Sequence, residues 1–322
     1  MKLVGIGSAL PKMLIKSEEI ERTLGLEPGW IEKRTGVRIR PIASPEEATS
    51  DLAVCAGKQA LLSAQINPDE IGLLILATST PDYPLPPTAP QVAHRIGLKR
   101  AGAIDLAGAC AGFLYALALA DSYGEASKSA CLVIGANVLS RRVNQNDPTT
   151  ASLFADGAGA FLLIPGEGLL SVHLGADGEN WDEIVIQAGG SRQTLTPEAV
   201  AEGKHLMCMK DGTRLFRNAV RRMAEVGRIT LEKAGITIKD IDWWIPHQAN
   251  RRLIQEAGRL MGIGMEKTID VIDRCGNSSA ATIPIAFDIA RSEGHLQKGN
   301  ILLLTAVGAG MLEAGVVLKL DF

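Results

Sequence analysis

Residues 105–121 read Asp-Leu-Ala-Gly-Ala-Cys-Ala-Gly-Phe-Leu-Tyr-Ala-Leu-Ala-Leu-Ala-Asp. Cys110 stands among small residues, Gly108, Ala109, Ala111 and Gly112, and an apolar, alanine-rich run follows with no proline or charge before Asp121. That run has the length and propensity of a buried helix. Ile104 to Ala107 read as the end of a short strand, so the stretch predicts strand, tight turn, cysteine, helix. Such a turn holds a side chain at a helix N-terminus, where free N–H groups and the dipole favour an anion. A thiol there is more acidic, and the thiolate is the nucleophile. Read alone, the stretch fits a buried structural cysteine equally well, because free cysteine is among the most buried residue types.

Outward from this unit the chain alternates strands and helices. Lys2 to Gly7 and Ile71 to Thr78 read as strands, with a helix over Ala48 to Ala64 capped by Thr49 or Ser50, and a short helix capped by Ser17. A second short helical piece ends at Gly36 and places Trp30 and Arg34 on one face. A proline-rich loop runs from Pro81 to Pro90. Cys131 to Ala136 is a buried strand, and 154–160 turns into the strand Phe161 to Ile164. After Pro165-Gly166-Glu167-Gly168 the pattern restarts, which predicts two halves, 1–165 and 166–322. The second contains strands from Leu169, Asp240, Thr268, Asn300 and Gly315, and helices over Thr213 to Ala234, Gln248 to Leu260 and Ile283 to Ser292. The helix of the first half that carries Cys110 corresponds to one preceded by Asn277, and the strand matching 71–78 ends at His247. Strand ends facing one centre bring Cys110, His247 and Asn277 together, where ligands of such folds bind.

The composition limits the function. With 46% apolar residues in 322, a sizeable core is available, and a net charge of −3 without a basic stripe argues against nucleic-acid binding. Met1 to Gly7 is too short an apolar run for a signal peptide, and no stretch has the length of a membrane span. Cys55, Cys110, Cys131, Cys208 and Cys275 are odd in number and without metal-ligand spacing, which predicts a reduced, cytoplasmic chain with neither disulfides nor a metal site.

His247 alone is an ordinary polar residue, and Asn277 alone an ordinary helix cap. Together with a cysteine nucleophile, a neutral His and an Asn supply hydrogen-bond donors to a developing oxyanion. No acid accompanies His247 locally, which disfavours a protease-type triad.

The segments Gly-Ala-Cys-Ala-Gly-Phe (108–113), Ile-Pro-His-Gln-Ala-Asn-Arg-Arg-Leu-Ile (245–254) and Gly-Asn-Ser-Ser-Ala-Ala (276–281) resemble the β-ketoacyl-acyl-carrier-protein synthase III family of the thiolase superfamily. Trp-Ile-Glu-Lys-Arg-Thr-Gly-Val-Arg (30–38) and Phe-Ala-Asp-Gly-Ala-Gly-Ala (154–160) match it too. The resemblance implies an α/β, five-layer αβαβα fold with mixed sheets in two duplicated halves, and a homodimer. It implies that Cys110 takes an acyl group from acyl-CoA, and that His247 and Asn277 bind the malonyl thioester of malonyl-acyl-carrier protein (malonyl-ACP) as carbon dioxide leaves. The N–H groups of Cys110 and Ala309 would form the acyl oxyanion hole, Trp30 and Arg34 would clamp CoA, and Arg217 and Arg252 would receive the carrier protein; on the residues alone, those arginines are equally a solvated helix face. CoA and ACP thioesters are substrates, and no further cofactor is implied.

The departures bear on the substrate. The C-terminal turn is Gly308-Ala309-Gly310-Met311-Leu312-Glu313, the stretch Asp147-Pro148-Thr149-Thr150 lacks the second Arg that commonly flanks CoA, and Leu85 stands where a partner's Phe often closes the acyl pocket. Arg142, next to Arg141, is a cation where a small neutral residue is common. An inward Arg142 needs an anion, and a carboxylate-ended acyl chain would pair with it bidentately, with Ser79 and Ser279 adding hydroxyl donors; an outward Arg142 is an ordinary surface residue. The inward reading resembles the branch that condenses glutaryl-CoA with malonyl-ACP to make the pimeloyl precursor of biotin. The competing readings are a fatty-acid initiating synthase using acetyl-CoA or another short acyl-CoA, an acyltransferase without decarboxylation, and a non-catalytic subunit of a heterodimeric synthase.

Overall fold

The computed structural model describes all 322 residues. The first sheet is built from β1 (Lys2–Ala9), β2 (Ile71–Ala77), β3 (Gly102–Leu106), β4 (Ala130–Val138) and β5 (Asp156–Ile164), in the order β1-β5-β4-β2-β3. The helices α1 (Thr49–Ala64), α2 (Ala89–Ile96) and α3 (Gly112–Ser127) connect these strands. Strands β4, β2 and β3 run parallel, whereas β1, β5 and β4 are antiparallel neighbours. The inner parallel strands β2 and β4 are apolar on both faces, as their helix-covered position requires, whereas β3 is an edge strand with Ile104 exposed.

The second sheet holds β6 (Leu169–Ala176), β7 (Trp243–Pro246), β8 (Ile301–Gly308) and β9 (Leu312–Lys319), in the order β7-β8-β9-β6. Its helices are α4 (Gly212–Ala234), α5 (Arg251–Met261) and α6 (Thr282–Ser292). Read from β6, this sheet repeats the order of the first. The expected strand at 268–272 is the exception. It contracts to a single parallel bridge between Trp244 and Thr268, and Ile272–Cys275 turn as helix instead.

The layers follow from which faces are apolar. Helices α1 and α2 cover the first sheet through Leu52, Ala56, Ala60, Leu74 and Ile134. Helices α4 and α5 cover the second through Met223, Ile254, Trp244 and Leu303. Between the sheets lie α3 and α6; the small residues Ala116 and Ala120 of α3 are fully buried there, while Leu119 and Tyr123 on its outer edge are exposed. Phe113, Phe161 and Phe287 join this middle layer edge to face, at centroid distances of 5.0 and 4.8 Å. The result is the five-layer αβαβα arrangement.

Three local expectations are corrected. Residues 156–160 are strand, not turn: a Cβ at Gly159 would stand 2.7 Å from Cβ of Pro284, and one at Gly157 2.9 Å from Ile285, so the glycines let α6 lie close on the sheet. Ser17 does not cap its helix; its hydroxyl donates to the Val37 carbonyl (2.6 Å), and Glu19 accepts from the Lys16 N–H. Neither Thr49 nor Ser50 caps α1, because Thr49 bonds the Thr80 carbonyl and Ser50 accepts from Arg95, while Asp51 accepts from the Ala48 N–H (2.7 Å). In each case a tertiary partner outcompetes the local cap. No helix is long and apolar enough to cross a membrane.

Candidate active site

Cys110 sits in a single tight turn, Ala109–Ala111, between β3 and α3. The pseudo-equivalent turn, Ser279–Ala281, opens α6. Both turns carry a non-glycine residue with left-handed backbone, Ala109 at φ 44° and Ser279 at φ 56°, a strained conformation that such residues adopt mainly at functional turns. The two turns touch: the Ser279 hydroxyl lies 3.4 Å from Sγ of Cys110. Asn277 is fixed by its backbone, which donates to the Leu153 carbonyl (3.0 Å) and accepts from Ala155 (2.9 Å), while its Oδ1 accepts the Ser279 N–H (2.9 Å). The Asn277 amide oxygen is therefore occupied, which leaves its NH2 as the free end.

His247 follows β7 directly, its N–H donating to the Thr305 carbonyl (2.7 Å). Its Nδ1 is 2.6 Å from the Thr282 hydroxyl, which also lies 3.0 Å from the Ser279 carbonyl. Burial pushes the imidazole down to about 3, so it is neutral across the physiological range. Burial likewise raises the Cys110 thiol, opposed by the Ser279 hydroxyl and the cysteine's own N–H. Burial here thus opposes the acidity that a helix N-terminus lends a thiol.

Cys110, His247, Asn277 and Ala309 line one cavity of ≈ 150 Å³. Its wall is apolar, with Phe216, Leu215 and Met223 from α4 and Leu253 from α5. Ala309 lies just past the end of β8, and its N–H has no partner among the turn and loop hydrogen bonds. Gly308 makes the approach possible, since a Cβ there would stand 2.8 Å from the Cys110 nitrogen and 2.9 Å from that of Ala111.

Trp30 and Arg34 stack with the guanidinium carbon 4.1 Å from the indole centroid, and the Arg34 carbonyl accepts from the side chain of Asn250 (3.2 Å), which lines the cavity. Their short helix, Trp30–Thr35, is anchored by buried Glu21, which accepts from Gly29 (2.9 Å) and Ile31 (2.8 Å). A surface depression from Gly29 and Lys33 reaches Arg252, and a second, holding Arg217, Arg221 and Arg252, reaches Phe216, which also lines the reactive cavity. The two depressions thus adjoin at Arg252, and the second adjoins the cavity at Phe216.

Arg142 and Ser79 are placed differently. Neither lines the cavity with Cys110. Arg142 is exposed and borders a separate depression with Thr49, Thr80 and Asp82, at the carboxyl ends of β4 and β2. Ser79 is linked to the site through Asn137, whose side chain accepts the Ser79 N–H (2.8 Å) and donates to the Ser278 carbonyl (3.1 Å). Sequence reading missed Thr282 and the Phe216, Leu253 and Met223 wall. The first reads as one more helix residue, and the others fall on amphipathic faces indistinguishable from core.

The 3-oxoacyl-[acyl-carrier-protein] synthase III model matches residues 104–178, and the model of its C-terminal region matches 231–320. A 3-oxopimeloyl-[acyl-carrier-protein] synthase of Rhodothermus marinus is 59% identical over 320 residues, covering 98% of this chain and 93% of the relative. The chain belongs to the 3-oxoacyl-[acyl-carrier-protein] synthase III family. A second 3-oxopimeloyl-[acyl-carrier-protein] synthase, from Brucella abortus, is 43% identical and covers 99% of this chain and 98% of its own. Among solved structures, the family's synthase from Aquifex aeolicus superposes with a TM-score of 0.90 at 37% identity, covering 99% of each chain. This family member is an acyltransferase of the ketosynthase type with the thiolase-like fold, and its reaction is a decarboxylative condensation.

Proposed function

We propose that this enzyme condenses glutaryl-CoA with malonyl-ACP, through a glutaryl-Cys110 intermediate, to 3-oxopimeloyl-ACP. The observation that carries the reaction is the single cavity holding the Cys110 thiol beside two neutral donors, His247 and Asn277. The chain length agrees with the name of the 59%-identical relative: a five-carbon diacid extended by two carbons is a 3-oxo seven-carbon diacid.

In the first step Cys110 attacks the thioester carbonyl, the N–H groups of Cys110 and Ala309 hold the oxyanion, and CoA leaves with the thiol proton. In the second, malonyl-ACP loses carbon dioxide. The electron pair moves onto the thioester oxygen, held by Asn277 Nδ2 and by His247 Nε2–H in the tautomer in which the Thr282 hydroxyl gives its one proton to Nδ1 rather than to the Ser279 carbonyl. The enolate carbon attacks the acyl group, the Cys110 sulfur leaves, and one proton is taken up. Both steps balance with the two thioesters alone, so the reading needs no metal or further cofactor. Trp30 and Arg34 bind CoA, and Arg217 and Arg252 receive the acidic carrier protein.

Arg142, Ser79 and Ser279 are assigned to the distal carboxylate, an assignment that requires the acyl chain to run from the Cys110 cavity into the neighbouring depression that the exposed Arg142 borders. Arg142 makes no ion pair within the chain, and the Ser79–Asn137–Ser278 hydrogen bonds lead from its neighbourhood to the Ser279 hydroxyl at Cys110. A homodimer fits the exposed edge of β3, where Ile104 is 47% exposed, and the loop tip at Leu85, 83% exposed, which then closes the partner's acyl pocket. The unpaired cysteines support a cytoplasmic setting.

Fatty-acid initiation would use the same machinery with a short monoacid, so the acyl chain decides between the readings. Arg142→Ala is expected to lower kcat/KM for glutaryl-CoA roughly ten- to a hundredfold, the worth of a charged hydrogen bond, and to leave butyryl-CoA unaffected. An unchanged ratio of the two in steady-state assays rejects the carboxylate assignment.

A further inference from the structure

The turn that carries Ala309 is held from behind by charges outside the cavity. Met311 and Asp177 exchange both backbone hydrogen bonds, each at 2.9 Å, so the turn between β8 and β9 is fastened to the chain leaving β6. Glu313, two residues further, pairs through its backbone with Val307 and Gly175. The side chains of Asp177 and Glu313 then meet one cation, Arg222 of α4. One guanidinium nitrogen contacts Asp177 Oδ2, and the other stands 3.0 Å from Glu313 Oε2. All three side chains are largely withdrawn from water, at 15% exposure for Arg222, 24% for Asp177 and 11% for Glu313.

The packing makes room for a long side chain at 313. A Cβ at Gly175 would lie 2.7 Å from Glu313 Oε1, so glycine makes room for it. Tyr115 of α3 donates to the Gly175 carbonyl (2.6 Å), and its phenol is raised by burial and then by the Glu313 charge. Burial works against the Arg222 charge, but the Glu313 hydrogen bond and the charges of Glu313 and Asp177 hold the guanidinium above its ordinary value. The fork of a guanidinium can join two carboxylates at once, whereas an ammonium is a point charge.

We propose that Arg222, clamped between Asp177 and Glu313, is a positioning residue that sets the Ala309 N–H against the Cys110 acyl group. This rests on the reading of Ala309 as an oxyanion donor. Without Arg222, two half-buried carboxylates face each other with no counter-charge, on the two strands that the turn must keep in register. Losing an oxyanion donor outright costs about 10²–10³ in rate, so displacing one costs roughly ten- to a hundredfold.

The test separates the half-reactions. In Arg222→Met, acylation of Cys110 by acyl-CoA, followed by time-resolved intact mass, is expected to slow roughly ten- to a hundredfold. Malonyl-ACP decarboxylation without an acyl donor, which uses His247 and Asn277, should stay within about twofold of wild type. Adding Glu313→Gln to Arg222→Met should recover most of the acylation rate by removing one of the two opposed charges. Equal loss of both half-reactions, or no rescue, shows a merely structural role and overturns the proposal. Should Arg222→Met fail to fold, Arg222→Lys carries the test: slowed acylation with normal decarboxylation supports positioning, and equal or absent effects refute it. A wild-type enzyme that acylates Cys110 beside a variant that acylates equally fast refutes the positioning role alone. Failure of wild type to acylate refutes the underlying reading.

Discussion

Cys110→Ala is expected to remove acyl transfer from the CoA thioester completely, to below about one ten-thousandth of the wild-type rate, while the protein folds normally. The size follows from covalent catalysis, where loss of the nucleophile costs on the order of 10⁴–10⁶. No other group in the cavity can replace it. His247 is neutral with Nδ1 tied to Thr282, Asn277 offers only an amide, and Ser279 Oγ stands beside Cys110 Sγ without a base of its own. The fold should tolerate the change, because alanine already flanks the position and the thiol's one side-chain hydrogen bond is the long 3.4 Å one from the Ser279 hydroxyl. Product formation by mass spectrometry and a melting curve check both halves. Condensation above about one per cent of wild type would place the nucleophile elsewhere.

Replacing either oxyanion donor divides the reaction the other way. His247→Ala and Asn277→Ala are each expected to lower malonyl-ACP decarboxylation by about 10²–10³ and to leave acylation of Cys110 within a few-fold of wild type, because the acyl oxyanion is held by the backbone of Cys110 and Ala309. The pH dependence adds a signature. Burial takes His247 from 6.5 down to about 3, so between those values the unfolded chain binds a proton at 247 that the folded chain does not. Stability from this group is therefore fully present above pH 6.5 and lost as pH falls towards 3, at up to about 1.4 kcal/mol per pH unit. His247→Gln should flatten that part of the stability curve. Decarboxylation should show no acid limb near 6.5, since the imidazole stays a neutral donor. A rate that falls through pH 6.5 would mean that His247 titrates in the free enzyme and would contradict its buried, neutral state.

The fold was readable because its decisive elements are largely buried. The apolar runs at 71–77 and 130–138 and the alanine-rich helix after Cys110 leave little alternative, and the second-half strands at 169, 243, 301 and 312 repeat them. Where propensity failed, a tertiary partner had won: Ser17 prefers Val37, Thr49 prefers Thr80, and the glycines of 156–160 serve a passing helix. The strand expected near Thr268 shrank to a bridge at the edge of its sheet, where pairing is easily lost. Cys110 and Ala309 were legible by their small neighbours, His247 by the strand that ends just before it, and Asn277 by the match of its following helix to the one that carries Cys110. The raised thiol was not, because burial depends on the assembled layers rather than on neighbours in sequence. Arg142 lies outside the cavity of its own chain, which the stretch after β4 could not reveal. The Asp177–Arg222–Glu313 clamp joins residues 45 and 91 positions apart and carries no local signature.

The most direct measurement is intact-mass spectrometry of the enzyme after brief exposure to an equimolar mixture of acetyl-, butyryl-, succinyl- and glutaryl-CoA, with peptide mapping of the adduct. A dominant glutaryl adduct on Cys110 is expected, absent from Cys110→Ala and discharged to 3-oxopimeloyl-ACP on addition of malonyl-ACP. A dominant acetyl or butyryl adduct on Cys110 would contradict the dicarboxylate substrate, and an adduct on another residue, or none, would contradict the nucleophile itself.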